Sequence, residues 1–269
     1  LANAMGEIAD AVFAQPPAFM AAATAWVGAA AYTLQIYFDF SAYSDMAIGL
    51  GRMFGFHFLE NFDYPYIAQS VTEFWRRWHI SLSSWFRDYV YIPLGGSRRS
   101  PARNLLNLAV VWLLTGLWHG AAWTFVLWGG WFFLLLAGER LVWGQGLARL
   151  PRIFRHGYVL LAVMASWVLF RSPDAAYAAA YFQAMLGLGG GTDGQAVYCL
   201  LQYWPEWTAC LIAALPVKRW LEARLPEEGT GFAAAVRTWF PKLAALALLT
   251  LSYVKLASGS FNPFIYFQF

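Results

Sequence analysis

Charge, cysteine and histidine are scarce in this sequence: of 269 residues only 12% are Asp, Glu, Lys or Arg, two are cysteine and four are histidine. Soluble domains carry roughly 25% charged residues, so the chain lacks the means to cover itself with a water-facing surface. Cys199 and Cys210 lie in an apolar stretch without paired spacing or nearby histidines. Neither a disulfide framework nor a metal site is indicated, and both read as small core residues. Internal repeats and long low-complexity segments are absent. The opening Leu-Ala-Asn-Ala has no basic segment ahead of an apolar run and no cleavage site, so no signal peptide is recognisable. We expect missing sequence upstream of Leu1 and a true terminus at the aromatic end around Phe269.

What the chain does have is apolar surface. Hydrophobic residues make up 60%, with 15 Trp, 14 Tyr and 22 Phe, which reads as an integral membrane protein. Many of the aromatics stand beside Arg, Gly or Pro, as expected where helices meet the headgroup layer or line a pocket. The net charge of +3 comes from arginines in short connectors, one with Arg98, Arg99 and Arg103 and another with Arg140, Arg149, Arg152 and Arg155. Such clusters read as topology signals facing the cytoplasm rather than as a nucleic-acid surface, so no nucleic-acid partner is expected.

Residues 19–38 approach the roughly 20 needed to cross a bilayer. Residues 39–65 mix Asp39, Ser41, Ser44, Asp45, Arg52, His57, Glu60 and Asp63 with aromatics and glycines, a blend suited to a cavity wall or an interface. At 100° per residue, 73–89 places Trp75, Trp78, Leu82, Trp85, Phe86 and Tyr89 on one face and Arg76, Arg77, Ser84, Arg87 and Asp88 on the other. The spacing predicts one amphipathic interfacial helix with His79 at the edge of its aromatic face. Residues 104–138 are too few for two full spans and a turn. A re-entrant or tilted hairpin turning near Gly116 and Gly120 resolves the conflict and puts His119 near its tip, where irregular backbone requires surrounding protein or a water-filled cavity. Further spans are expected within 158–170, 196–215 and 243–256.

His119 is an ionisable ring in a run otherwise fit for lipid, which makes it a functional candidate by default. A neutral imidazole can take a hydroxyl proton while an ester or thioester is attacked, and burial keeps it neutral. The plainer reading of His119 is a packing histidine bonded to a backbone carbonyl; that of His79 is a headgroup contact beside Trp75 and Arg76. His57 and His156 read as structural or solvated. Asp39, Ser41, Tyr43 and Asp45 suit either cavity hydrogen bonds or helix capping. Arg76 and Arg77 suit either donor phosphates or a headgroup anchor.

Four motifs in order, YFDFSAYSD at 37–45, FWRRWHISL at 74–82, YIPLGG at 91–96 and LWHG at 117–120, resemble the membrane-bound O-acyltransferase family. Within it the likeness is to the bacterial branch that O-acetylates exopolysaccharides such as alginate, supported by NPFIYF at 262–267. The resemblance implies an all-α, polytopic transmembrane helical bundle with re-entrant and interfacial helices in a bacterial inner membrane. It also implies that residues 1–269 are the C-terminal part of a single membrane domain, with the catalytic motifs at 37–120 and further membrane helices over 157–257. His119 then carries the main catalytic role and His79 assists. Asp39, Ser41, Tyr43, Asp45, Trp75, Arg76, Arg77 and Trp118 are the candidate substrate or cavity residues. No bound cofactor or metal is expected; the co-substrate is acetyl-CoA or another cytoplasmic acetyl thioester. The implied partners are membrane lipid, a periplasmic acetyltransferase that accepts the acetyl group, and the polysaccharide as final acceptor. D-alanyl transfer toward teichoic acid stays open within the family, and a transporter subunit or a two-histidine haem carrier outside it.

Overall fold

The computed structural model describes residues 1–224 and 232–257, and its elements there are helical throughout. The aromatic string at 262–267 lies outside the described residues. By contact density the chain divides into Leu1–Cys210 and Leu211–Gln268.

In the first unit, α1 (Ala2–Phe13) packs beside α2 (Ala22–Met53), a helix of 32 residues. α2 corrects the expected span at 19–38: it starts later and runs on through Asp39, Ser41, Ser44 and Asp45, which are helix-interior residues rather than caps or loop. An irregular strap, 54–70, returns to α3 (Val71–Arg77) and α4 (Ile80–Phe86), followed by one π turn at Arg87–Tyr91. The single helix predicted over 73–89 is therefore broken at Trp78 and His79. α5 (Pro101–His119) and α6 (Trp123–Gly138) form a helical hairpin, which continues through a second π turn, Glu139–Trp143, into α7 (Gly144–Arg149). Next come α8 (Arg152–Arg171) and α9 (Ala175–Met185). α10 (Gly194–Gln202) and α11 (Trp204–Ala213) divide at Tyr203, just ahead of Pro205, within the stretch 196–215 expected as a span that Pro205 and Glu206 interrupt.

The second unit contains α12 (Val217–Glu222) and α13 (Phe232–Ala257), which carries Pro241 in its interior. Among the described residues two helical stretches are long and apolar enough to cross a membrane, Trp123–Arg149 and Arg152–Arg171.

Two buried clusters hold the first unit together. Val12, Met20, Ala25, Ala29, Val168, Tyr181 and Met185 join α1, α2, α8 and α9. Phe74, Trp75, Trp112, Trp128, Phe132 and Trp167 interlock α3, α5, α6 and α8 through ring contacts, among them Trp75–Trp112 at 4.7 Å and Trp75–Phe132 at 4.9 Å. Trp75 is thus core. Cys199 and Cys210 are buried free thiols.

The hairpin closes because glycine lets its helices meet. A Cβ at Gly116 would stand 2.5 Å from the Phe125 carbonyl oxygen, and one at Gly129 would stand 2.4 Å from that of Trp112. Small residues at facing positions are what close helix packing in lipid requires. Gly116 is therefore a contact within α5 rather than a bend, and the chain turns at 120–122, where Gly120 adopts φ 154°. At the open end Arg140 Nη1 donates to Asn104 Oδ1 at 2.6 Å, while Asn104 and Asn107 donate to the Gly96 and Leu94 carbonyls. The YIPLGG segment is thereby tied to the hairpin base, and the two basic connectors meet at one end.

Gly129→Val places two methyl groups against the Trp112 carbonyl. We expect a loss of about 1–3 kcal/mol, read as a lower unfolding midpoint in detergent, while Gly130→Val, with open space around its Cβ position, leaves the midpoint nearly unchanged.

Candidate active site

His119 ends α5, and its ring is enclosed by aromatics from three helices. Trp128 lies at 4.9 Å between centroids, Phe170 at 5.1 Å and Phe125 at 6.3 Å, with Trp118 of its own helix at 4.9 Å. The carbonyl bond of a packing histidine is not what the structure gives: among the described residues the His119 imidazole makes no hydrogen bond.

His79 reaches the same neighbourhood from another direction. It occupies the break between α3 and α4 with φ 44° and ψ 56°, a left-handed conformation unusual for a side-chain-bearing residue. Two strap residues hold this break open. Asp63 N donates to the Arg77 carbonyl at 2.9 Å and Ile80 N donates to the Asn61 carbonyl at 3.0 Å, so Ile80 is satisfied outside its own helix. The Asn61 side chain adds three contacts through Oδ1, with Ser81 N at 3.1 Å, Ser81 Oγ at 2.9 Å and His79 Nδ1 at 3.3 Å. Its Nδ2 donates to Ser44 Oγ on α2 at 3.1 Å. The His79 ring stands edge-to-face on Phe40 at 4.6 Å and lies 6.3 Å from Trp118. Trp118 is the ring that both imidazoles meet, 6.3 Å from His79 and 4.9 Å from His119. His79 lies outside the two candidate spans, and burial pushes its imidazole down to about 4, leaving it neutral at neutral pH with one ring nitrogen unprotonated.

The other candidates separate into those near the histidines and those elsewhere. α2 brings Phe40 and Ser44 to the His79 side, with Ser41 and Ser44 buried; Tyr43 and Asp45 are exposed and Asp39 is half-buried. Arg77 is a clamp: it meets Glu73 at 2.9 Å and Asp63 at 3.1 Å and also donates to the Asp63 carbonyl. Arg76, one position earlier, is exposed. Two polar residues decisive for this geometry, Asn61 and Glu139, were not singled out by sequence reasoning. Glu139, beyond α6, accepts from Thr72 N at 3.0 Å and Thr72 Oγ at 2.7 Å and also from Val71 N, capping α3 from the hairpin base. Asn61 carries a faint signal, a polar residue among aromatics 18 positions before His79; Glu139 had only its place beside a basic connector.

Two cavities flank this arrangement. The larger, about 660 Å³, lies at the hairpin base among Ser70, Glu73, Glu139, Arg140 and Arg155; the smaller, about 200 Å³, lies between Trp75, Leu82, Phe86 and Trp112. Neither is lined by the two histidines, so the cavity expected around the hairpin tip is not one of these. His57 is exposed, and His156 Nδ1 lies 3.1 Å from the Ala68 carbonyl, bracing the strap against α8.

The profile of the MBOAT, membrane-bound O-acyltransferase family, matches residues 7–169. The chain belongs to that family. It is 41% identical over 299 residues to the probable alginate O-acetylase AlgI of Azotobacter vinelandii, across 100% of this chain and 59% of that protein. It is 30% identical to the peptidoglycan O-acetyltransferase of Helicobacter pylori over 91% of this chain and 49% of that protein. The teichoic acid D-alanyltransferase of Bacillus subtilis is 33% identical over 36% of this chain and 27% of its own length. The chain thus spans about three fifths of the length of the alginate O-acetylase relatives it matches.

Arg77→Met leaves the half-buried carboxylates of Asp63 and Glu73 without their cation and frees the strap. Measured with Asp63→Asn in a double-mutant cycle of unfolding midpoints, the Arg77–Asp63 pair is expected to couple by about 0.5–3 kcal/mol; additive effects would mean that the clamp contributes nothing.

Proposed function

We propose that this chain is the C-terminal part of a single membrane domain, in a multi-pass acyltransferase of the bacterial inner membrane that supplies acetyl groups for O-acetylation of an exopolysaccharide, alginate first. The observation carrying the proposal is the meeting of His119 and His79 across Trp118, inside a chain of this family. The alginate assignment rests on the activity for which relatives about 40% identical along the whole chain are named.

In this reading the donor is acetyl-CoA or another cytoplasmic acetyl thioester, and a periplasmic acetyltransferase receives the group and passes it to the polysaccharide. The basic connectors at the hairpin base face the cytoplasm, and the hairpin is re-entrant, with its tip inside the bilayer and lipid around its outer face. His119 accepts the proton of the attacking hydroxyl as its oxygen bonds to the thioester carbonyl carbon. The carbon–sulfur bond then breaks, and the imidazolium returns the proton to the departing thiolate. The aromatic walls keep water from competing for the thioester. His79 orients the reactants or relays the proton. Trp118 and the buried serines Ser41 and Ser44 shape the channel with Asp39, Tyr43 and Asp45 toward its rim. Trp75 supports the wall from the core, and Arg76 with Arg77 marks the donor-facing side.

Cells lacking the gene, complemented with the full-length parent or with His119→Ala at equal membrane abundance, test this reading through the acetyl content of secreted polysaccharide. The expected result is restoration by the parent and a fall of about 10²–10⁴-fold in transfer rate with the variant, the range for losing a positioned acid–base group. Acetylation by His119→Ala equal to that of the parent would remove the residue from the reaction, and a change in D-alanyl rather than acetyl ester would move the assignment to the teichoic acid branch.

A further inference from the structure

The atoms around His79 fix more than its position. Ser81 N is a backbone donor whose hydrogen has one direction, and it points at the Asn61 side chain from 3.1 Å. The atom it meets must therefore be an acceptor, which sets the orientation of the Asn61 amide: Oδ1 toward Ser81, Nδ2 toward Ser44 Oγ. Ser81 Oγ donates its single proton to the same Oδ1 at 2.9 Å, leaving only lone pairs to present elsewhere. His79 Nδ1 faces both oxygens, Asn61 Oδ1 at 3.3 Å and Ser81 Oγ at 3.3 Å. Two acceptors confront one ring nitrogen, and the equal, long distances are those of a proton shared between them.

We propose that Asn61 is a positioning residue that holds neutral His79 in one tautomer, with the proton on Nδ1 and the lone pair on Nε2. Both the ring nitrogen and the backbone beneath it are held by the same residue, since the Asn61 backbone carbonyl also fixes the break through Ile80 N. The consequence for transfer rests on the reading of His79 as part of the acyltransfer site: the nitrogen available to a substrate proton is Nε2, on the far side of the ring from Asn61. The tautomer itself needs no such reading, because it follows from the hydrogen bonds alone. Metal-bound histidines use the same device, a fixed acceptor on one nitrogen that decides which other nitrogen reacts.

Nitrogen-15 spectra of the full-length protein in lipid, labelled at histidine and assigned by subtraction of His79→Gln, read the tautomer directly. The parent is expected to show a protonated Nδ1 and an unprotonated Nε2 at His79, Asn61→Ala to show a mixture of tautomers, and Asn61→Asp, which keeps an acceptor oxygen, to restore the parental pattern. Polysaccharide acetylation is expected to fall about tenfold in Asn61→Ala, in line with loss of a histidine's outer partner, and to recover in Asn61→Asp. A protonated Nε2 in the parent overturns the proposal without any variant, and so does an unchanged tautomer in Asn61→Ala. The functional reading fails separately, through full acetylation by His79→Gln.

Discussion

The backbone-to-backbone contact of α5 with α6 is the constraint on which the rest depends. Gly116 and Gly129 let each helix place a carbonyl where a side chain would otherwise stand. This closeness brings Phe125, Trp128 and, through α8, Phe170 around the imidazole that ends α5. The Arg140–Asn104 bond secures the base of the hairpin. Dispersion between large rings supplies the rest, in many small increments that depend on close fit. The same packing gives α3 a partner, since Phe74 and Trp75 stack into the rings of α5 and α6.

A second layer of order is polar and local. Ser70 Oγ accepts from Glu73 N, while the Glu73 carboxylate accepts from Gln69 N, a reciprocal cap that starts α3. Glu139 covers further N–H groups of the same helix from the hairpin base. α3 is thus fixed at its start by the hairpin and at its end by the strap, through Arg77, Asp63 and Asn61. Tyr66 OH donating to the Thr33 carbonyl at 2.6 Å ties that strap to α2. The Glu139 and Tyr66 bonds join segments far apart in sequence, so the two histidines share a neighbourhood only when α2, the strap, α3 and the hairpin are all in place.

The turn between α5 and α6 was legible in the sequence from Gly120 in an apolar run, but the length argument over 104–138 was not borne out, because the second helical stretch runs on to Arg149 and is long enough by itself to cross a membrane. The broken helix was not legible. A wheel drawn over 73–89 stays amphipathic whether or not the backbone is continuous, and the break is made by N–H groups finding Asn61 and the Arg77 carbonyl meeting Asp63, contacts that periodicity does not encode. The polar stretch after Phe38 misled in the opposite sense. Asp39, Ser41, Ser44 and Asp45 look like the end of a helix, yet α2 continues through them because Ser41 and Ser44 turn toward the protein while Asp45 stays outside. Asn61 and Glu139 went unnoticed because an amide or a carboxylate acquires meaning only from the distant N–H groups it meets.

The left-handed backbone at His79 has a thermodynamic corollary. A residue with a Cβ pays of order 1–3 kcal/mol to stay in so sparsely populated a region, whereas glycine occupies it almost freely. Folding alone would therefore favour glycine at this position, and the imidazole stands there against that preference. The break between α3 and α4 is thus a place where backbone preference and the residue present pull apart, and in the proposed reading it is the imidazole's chemistry that outweighs the cost.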